Sequence, residues 1–249
     1  PQLENQKWEG KRSVEVFLNT SDFEKLLTSE NLVAIRQAAT KNYARIENQR
    51  SLTIDLSSAV TEGDRRWERV YLKGVLFSEG RPVVPHSGNG FDPIHKLVDS
   101  KANLIFVDAE PSPDGGMQAE KAVKEFWSHY LAYHSKVFKK SGLLTAAPLG
   151  YGLFPNAPLY KKGKLGFVIL GYDGGMSEPD KRDFNGGHYQ MMGRILRRLH
   201  DAGLSHPYLH DGNLSDAASS SDQPARPRFY VYDLDMAEMF DIGSDDPKR

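Results

Sequence analysis

The segment from Leu199 to Phe240 restricts the fold more than any other part of the chain. It reads Leu-His-Asp-Ala-Gly-Leu-Ser-His-Pro-Tyr-Leu-His-Asp-Gly-Asn-Leu-Ser, then a low-complexity insert rich in Ser, Asp and Pro, then Phe-Tyr-Val-Tyr-Asp-Leu-Asp-Met-Ala. A helix end at His200 to Gly203 feeds a polar loop that stops at Asn213. A β-rich run from Arg228 to Tyr232 then delivers two acidic residues, Asp233 and Asp235. Taken one by one these are ordinary loop polars, with Asp211-Gly212 a turn and the two aspartates strand-end caps.

At 249 residues the chain can bury a full core as one large domain or two lobes. Apolar residues make up 39% and charged residues 26%, the composition of an ordinary soluble globular protein. Lys and Arg number 32 against 33 Asp and Glu, a balance that argues against a dedicated nucleic-acid binder. Lys161, Lys162 and Lys164 form either a local basic patch or a solvated hairpin turn. The absence of Cys excludes disulfides, Cys-ligated zinc and a thiol nucleophile. No apolar run approaches the roughly 18 residues of a membrane span. The N-terminus is too polar for a signal peptide, so a cytoplasmic location is expected.

Element signals are clearest in the middle of the chain. Ala119 to Lys140 is the strongest predicted helix, with Val123, Phe126, Trp127, Tyr130, Leu131, His134, Val137 and Phe138 forming an apolar stripe and Gly142 in the stop position. His129 and His134 read as packing or surface residues. Leu149 to Phe154 and Leu165 to Leu170 predict an antiparallel pair, and His188 to His200 a further helix. Upstream, Ser21 and Glu24 predict a capping box, Glu30 to Ile46 a helix, and Ser51 to Leu56 and Arg69 to Phe77 strands. Arg81 to Ser87, Ile94 to Val98 and Asn103 to Val107 predict three more strands, with Gly88-Asn89-Gly90 after the first. That triplet is a hairpin turn or a loop whose backbone N–H groups approach phosphate without a Cβ in the way.

The order of these parts resembles the protein-kinase-like superfamily, including its aminoglycoside-phosphotransferase-like and atypical members. His206, Leu209, His210, Gly212 and Asn213 match the family's H-G-D-L-H-x-G-N loop, and Asp233 matches the metal-holding Asp of its D-F-G triplet. Position 208 is Tyr where the family carries its catalytic Asp. The resemblance implies an α+β, two-lobed kinase-like fold. Residues 1–80 would be an N-terminal α/β extension, 81–172 the N-lobe, and 173–249 a minimal, truncated C-lobe. It also implies Asn213, Asp233 and Asp235 as metal-holding residues, hard oxygen donors suited to Mg²⁺. Gly88, Asn89, Gly90 and Glu125 would meet the nucleotide, with Gly171 to Gly175 as the hinge beside an adenine.

The family's third strand ends in a Lys that pairs with phosphate, whereas Asn103 to Val107 runs into Asp108. Lys73 either reaches the site from a neighbouring strand or is an exposed strand residue. With Tyr208 and Asp108 in these places, the favoured expectation is a pseudokinase with a degraded ATP site that works through a protein partner. The alternative is an atypical Mg²⁺- and ATP-dependent phosphoryl or nucleotidyl transferase acting on a small molecule or a protein, with His210 and Asp211 as catalytic candidates. An unrelated α+β domain is the remaining reading. No nucleic acid and no membrane span enter any of them.

Overall fold

The computed structural model describes residues 1–43, 51–62, 65–77, 95–98, 104–107, 115–158, 164–173, 186–206, 214–216, 229–234 and 237–239. Strands β1 (Glu4–Trp8) and β2 (Val14–Leu18) open the chain as an antiparallel hairpin. In β2, Val14, Val16 and Leu18 are buried and alternate with half-exposed Glu15 and Phe17, which fixes its inner face. A single helical turn follows, α1 (Thr20–Phe23). The capping box expected from Ser21 and Glu24 does not form. Asn19 holds the cap position, and its amide donates to Asp22 and to the Pro148 carbonyl instead of capping. Helix α2 (Ser29–Ala39) starts at Thr28, whose hydroxyl accepts the Asn31 N–H. It stops well short of Ile46, because the Thr40 hydroxyl bonds back to the Arg36 carbonyl and closes the last turn.

Strands β3 (Ser51–Glu62) and β4 (Arg65–Lys73) form a second hairpin. Strands β5 (His95–Val98) and β6 (Leu104–Val107) pair with each other as a ladder of their own. Then come β7 (Met117–Gln118), α3 (Ala119–His134), α4 (Lys136–Lys140), β8 (Leu143–Leu144), β9 (Ala147–Pro158), β10 (Lys164–Asp173) and α5 (Gly186–Asp201). Short strands β11 (Leu204–Ser205), β12 (Leu214–Asp216), β13 (Phe229–Val231) and β14 (Glu238–Met239) complete the described chain. The whole is α+β, with a mainly antiparallel sheet ordered β1-β2-β9-β10-β4-β3 and β7 pairing with the start of β10. Among the described residues no helix is long and apolar enough to cross a membrane.

This order overturns two expectations about where the sheet lies. The sheet crosses the boundary drawn at residue 80, since β2 pairs with β9 and β4 with β10. Strands β1 to β4, which lie before that boundary, are therefore part of the main sheet. The predicted strand ending at Asp108 pairs with His95–Val98 and stands outside that sheet. Asp108 itself lies outside the described residues, as does Arg81 to Ser87.

Cross-strand partners share a face, and this sorts the β10 residues. Leu165, Phe167 and Ile169 pack with Val16, Val70, Leu72 and Trp67 in the larger core. Val168, Leu170 and Tyr172 point the other way, toward Phe126 of α3. Burying Phe126 completely stabilises this contact by about 2 kcal/mol. A separate cluster joins Ala132, Phe138 and Leu143 to Ile195, Leu199, Leu204, Phe229, Val231 and Leu234. Helix α3 thus packs on β9 and β10 and also joins the separate cluster through Ala132.

The predicted helix from Ala119 to Lys140 is broken at Ser135, whose extended backbone (φ −68°, ψ 118°) ends α3 while its hydroxyl caps α4. The buried face of α3 is also not the predicted stripe. Trp127, Leu131 and Val137 are exposed, whereas Glu125, Ser128 and His129 are buried with Ala122, Phe126 and Ala132. A polar face can turn inward only where partners await it.

Candidate functional site

The partner of Glu125 is Lys73. Lys73 ends β4 opposite Val168 of β10, so register places its side chain on the sheet face that α3 covers. Glu125 lies nearly two turns along α3 and is only 1% exposed. The Lys73 Nζ donates to both Glu125 carboxylate oxygens at 3.0 Å. It also donates to Asp233 Oδ1. One ammonium, two carboxylates and three segments far apart in sequence therefore meet at a point that is 13% exposed at the lysine and 26% exposed at Asp233.

Burial opposes ionisation of Glu125, but the Lys73 ammonium and then His129 outweigh it and hold the carboxyl below its ordinary range. His129 lies four residues along the same helix, fully buried, with Nε2 at 3.7 Å from Glu125 Oε1. That is beyond hydrogen-bond range and acts through space. Beside the cluster, the Tyr172 ring sits 4.0 Å from Tyr71 and stacks on Tyr232 at 5.7 Å. Burial first, then the neighbouring Tyr232 and Glu125, push the Tyr172 phenol well up.

Local backbone explains why these side chains converge. Gly74, at φ +103°, turns the chain directly after Lys73, and a Cβ there would stand 2.6 Å from Met117 Cβ and 2.7 Å from the Gly166 carbonyl oxygen. Asp233 adopts φ 54°, the left-handed region that few non-glycine residues enter. Its approach is pinned at consecutive carbonyls. Val231 O accepts from the Thr145 hydroxyl at 3.3 Å, and Tyr232 O accepts from His206 Nε2 at 3.1 Å, which requires the hydrogen on Nε2. A strained residue persists where its surroundings fix it this firmly.

Of the two alternatives for Lys73 the exposed one is set aside, since its side chain is 13% exposed and meets Glu125. Asn103 to Val107 does not supply the cation that meets Glu125: β6 stands outside the main sheet, and the lysine comes from β4. In the sequence Lys73 is visible only as a residue of the strand predicted from Arg69 to Phe77, where Val70 and Leu72 are the buried positions. Reading His129 as ordinary packing missed its contacts with Thr145 and Glu125, and Thr145 carried no sequence signal.

Lys73, Glu125 and Asp233 are brought together. Gly88, Asn89, Gly90, Tyr208, His210, Asp211, Asn213 and Asp235 lie outside the described residues. Among the described residues no group of three or more His, Cys, Asp and Glu is arranged to hold a metal ion. As for chemistry, a buried, oriented ammonium beside a half-buried carboxylate can neutralise phosphate oxygens and offer a hard ligand to a divalent cation. Comparison with protein-family models, with curated proteins and with solved structures finds no match.

Proposed function

We propose that this chain is a kinase-like, magnesium–nucleotide-binding protein whose output is regulatory binding rather than catalysis. The single observation that carries this reading is the Lys73 ammonium held by Glu125 and Asp233. In the kinase-like arrangement a strand lysine addresses the nucleotide phosphates, a helix glutamate holds that lysine, and an aspartate after a short strand holds the metal. Here β4, α3 and the end of β13 supply these three groups in the same order along the chain. The two hydrophobic clusters bridged by α3 support the two-lobed form of the fold.

When bound, Mg²⁺ would supply positive charge against the phosphates of a nucleotide. Asp233, a partly exposed carboxylate next to Lys73, suits that ion, and Asn213 and Asp235 are its companions by resemblance. Lys73 would turn from Asp233 toward phosphate. Glu125 would keep it on the α3 face, and the buried surroundings would strengthen that attraction relative to water. Tyr208 stands where the resemblance puts the proton-accepting Asp, and phenol is a poor base at neutral pH. Binding is retained and chemistry is slow or absent.

A thermal-shift titration with ATP, with and without Mg²⁺, tests this. Ligand at about 100 times its Kd stabilises a protein by about 2.7 kcal/mol, a shift of several degrees. We expect a Mg²⁺-dependent shift that disappears in Lys73→Met. No shift at millimolar Mg²⁺ and ATP would overturn the reading. The assembled lysine, glutamate and aspartate also favour a second reading, the atypical phosphoryl or nucleotidyl transferase, because such transfer is mostly positioning and charge neutralisation. Mg²⁺-dependent ATP turnover that vanishes in Asp233→Ala would select it over the regulatory one.

A further inference from the structure

Thr145 is a junction that the nucleotide reading leaves unused. It lies between β8 and β9, 1% exposed, and its backbone carbonyl accepts from Arg65 of β4 at 2.7 Å. Its hydroxyl meets two groups at once, the Nδ1 of His129 and the carbonyl oxygen of Val231. A threonine hydroxyl has one hydrogen to give. The Val231 oxygen can only accept, so that hydrogen goes to Val231, and His129 must donate its Nδ1–H to the threonine oxygen. The other edge of the same ring faces Glu125. Two hydrogen bonds therefore tie α3, the helix that carries Glu125, through His129 and Thr145 to the backbone two residues before Asp233.

We propose that His129 and Thr145 are positioning residues that set the two carboxylates of Lys73 together. The proposal rests on the reading of Lys73 as a phosphate-binding group and adds how that site is kept assembled. Glu125 comes from a helix and Asp233 from a strand end in a different hydrophobic cluster. Without a link, helix and strand could move apart and leave Lys73 with one partner. The relay supplies the link from inside, where a low dielectric strengthens each hydrogen bond and makes an unmade one costly. His129 and Thr145 are both buried beneath the site. The relay acts through Lys73.

The test uses two readouts on the full chain, one of them free of nucleotide. The first is the rate at which an N-hydroxysuccinimide ester acylates Lys73, followed by peptide mass spectrometry. The second is calorimetric affinity for Mg²⁺ and ATP. Thr145→Val removes the hydroxyl at equal size, and Thr145→Ser keeps it. We expect Thr145→Val to speed Lys73 acylation and weaken nucleotide binding, each by about fivefold to tenfold, the worth of one buried hydrogen bond. Thr145→Ser should restore both. A Thr145→Val protein with unchanged acylation, or a Thr145→Ser protein as impaired as the valine variant, overturns the proposal.

Should Thr145→Val fail to fold, His129→Asn takes its place. Its amide is too short to hold the Thr145 hydroxyl as the Nδ1 edge of the ring does, so it must speed acylation as well; unchanged acylation overturns the relay. If wild type binds no nucleotide while acylation still responds as expected, the relay stands and the nucleotide reading falls. If wild type and Thr145→Val bind nucleotide equally and acylate equally, the relay falls and the nucleotide reading stands.

Discussion

Replacing Lys73 with methionine should do more than lower stability; it should reverse how this site responds to pH. In wild type the Glu125 carboxyl is held below its ordinary value of 4.5 by Lys73 and His129 against the opposing effect of burial. A lowered folded-state pKa contributes stability above the unfolded value and loses it as pH falls. Between pH 5 and 8, on the order of three pH units, wild-type Glu125 therefore adds no slope. Lys73→Met removes the cation and leaves burial and the neighbouring Asp233 carboxylate, both of which raise the Glu125 pKa. The folded form then binds its proton more tightly than the unfolded chain, so stability falls as pH rises above the unfolded value.

The limiting slope for one proton is about 1.4 kcal/mol per pH unit. With Glu125 buried and Lys73 largely so, breaking the pair should cost about 3–5 kcal/mol at pH 7. Urea unfolding of both proteins at pH 5, 6, 7 and 8, on the order of four conditions, measures the cost and its slope. The companion Lys73→Met with Glu125→Gln should recover most of the loss, because it removes both charges rather than stranding one. A Lys73→Met protein that loses less than about 1 kcal/mol, with the same pH profile as wild type, would refute the reasoning.

Two further outcomes bear on the frame around the site. Gly74→Ala should cost about 3 kcal/mol or more, since φ +103° strains any side chain and the Gly166 carbonyl oxygen leaves no room for a Cβ; calorimetric melting would show it as a drop in Tm. Arg12→Lys should lose about 2 kcal/mol in urea unfolding. The Arg12 guanidinium reaches both Ala39 O at 2.9 Å and Val75 O at 2.7 Å between the rings of Phe77 and Phe154, and a lysine cannot span that fork.

How far the sequence carried this account depends on which signals were local. The helix from Ala119, the paired strands at Leu149 and Leu165 and the stop at Gly142 were legible because periodicity and glycine chemistry act within a few residues. The β2–β9 pairing was not, because nothing local says that Val16 will lie beside Gly152. The inward turn of Glu125 and His129 was missed for a related reason. Apolar periodicity assigns polar residues to solvent, and only the arrival of Lys73 and Thr145 from elsewhere makes the opposite orientation favourable. Of the site, Glu125 and Asp233 were named from the resemblance. Lys73 lies on β4, upstream of residues 81–172 to which the resemblance assigns the lobe that carries such a lysine.

The isolated bridge between Val75 and Gly116 carries a consequence for the chain's architecture. The polypeptide departs from the sheet two residues beyond Lys73 and rejoins it beside the point of departure, with Gly115 pressed so near the Leu76 carbonyl that no larger residue fits. Closing a long excursion costs only about 0.6 kcal/mol more for each doubling of its length. The bridge ties Val75 to Gly116, so the strand that presents Lys73 keeps its seat whatever the number of residues between those two points.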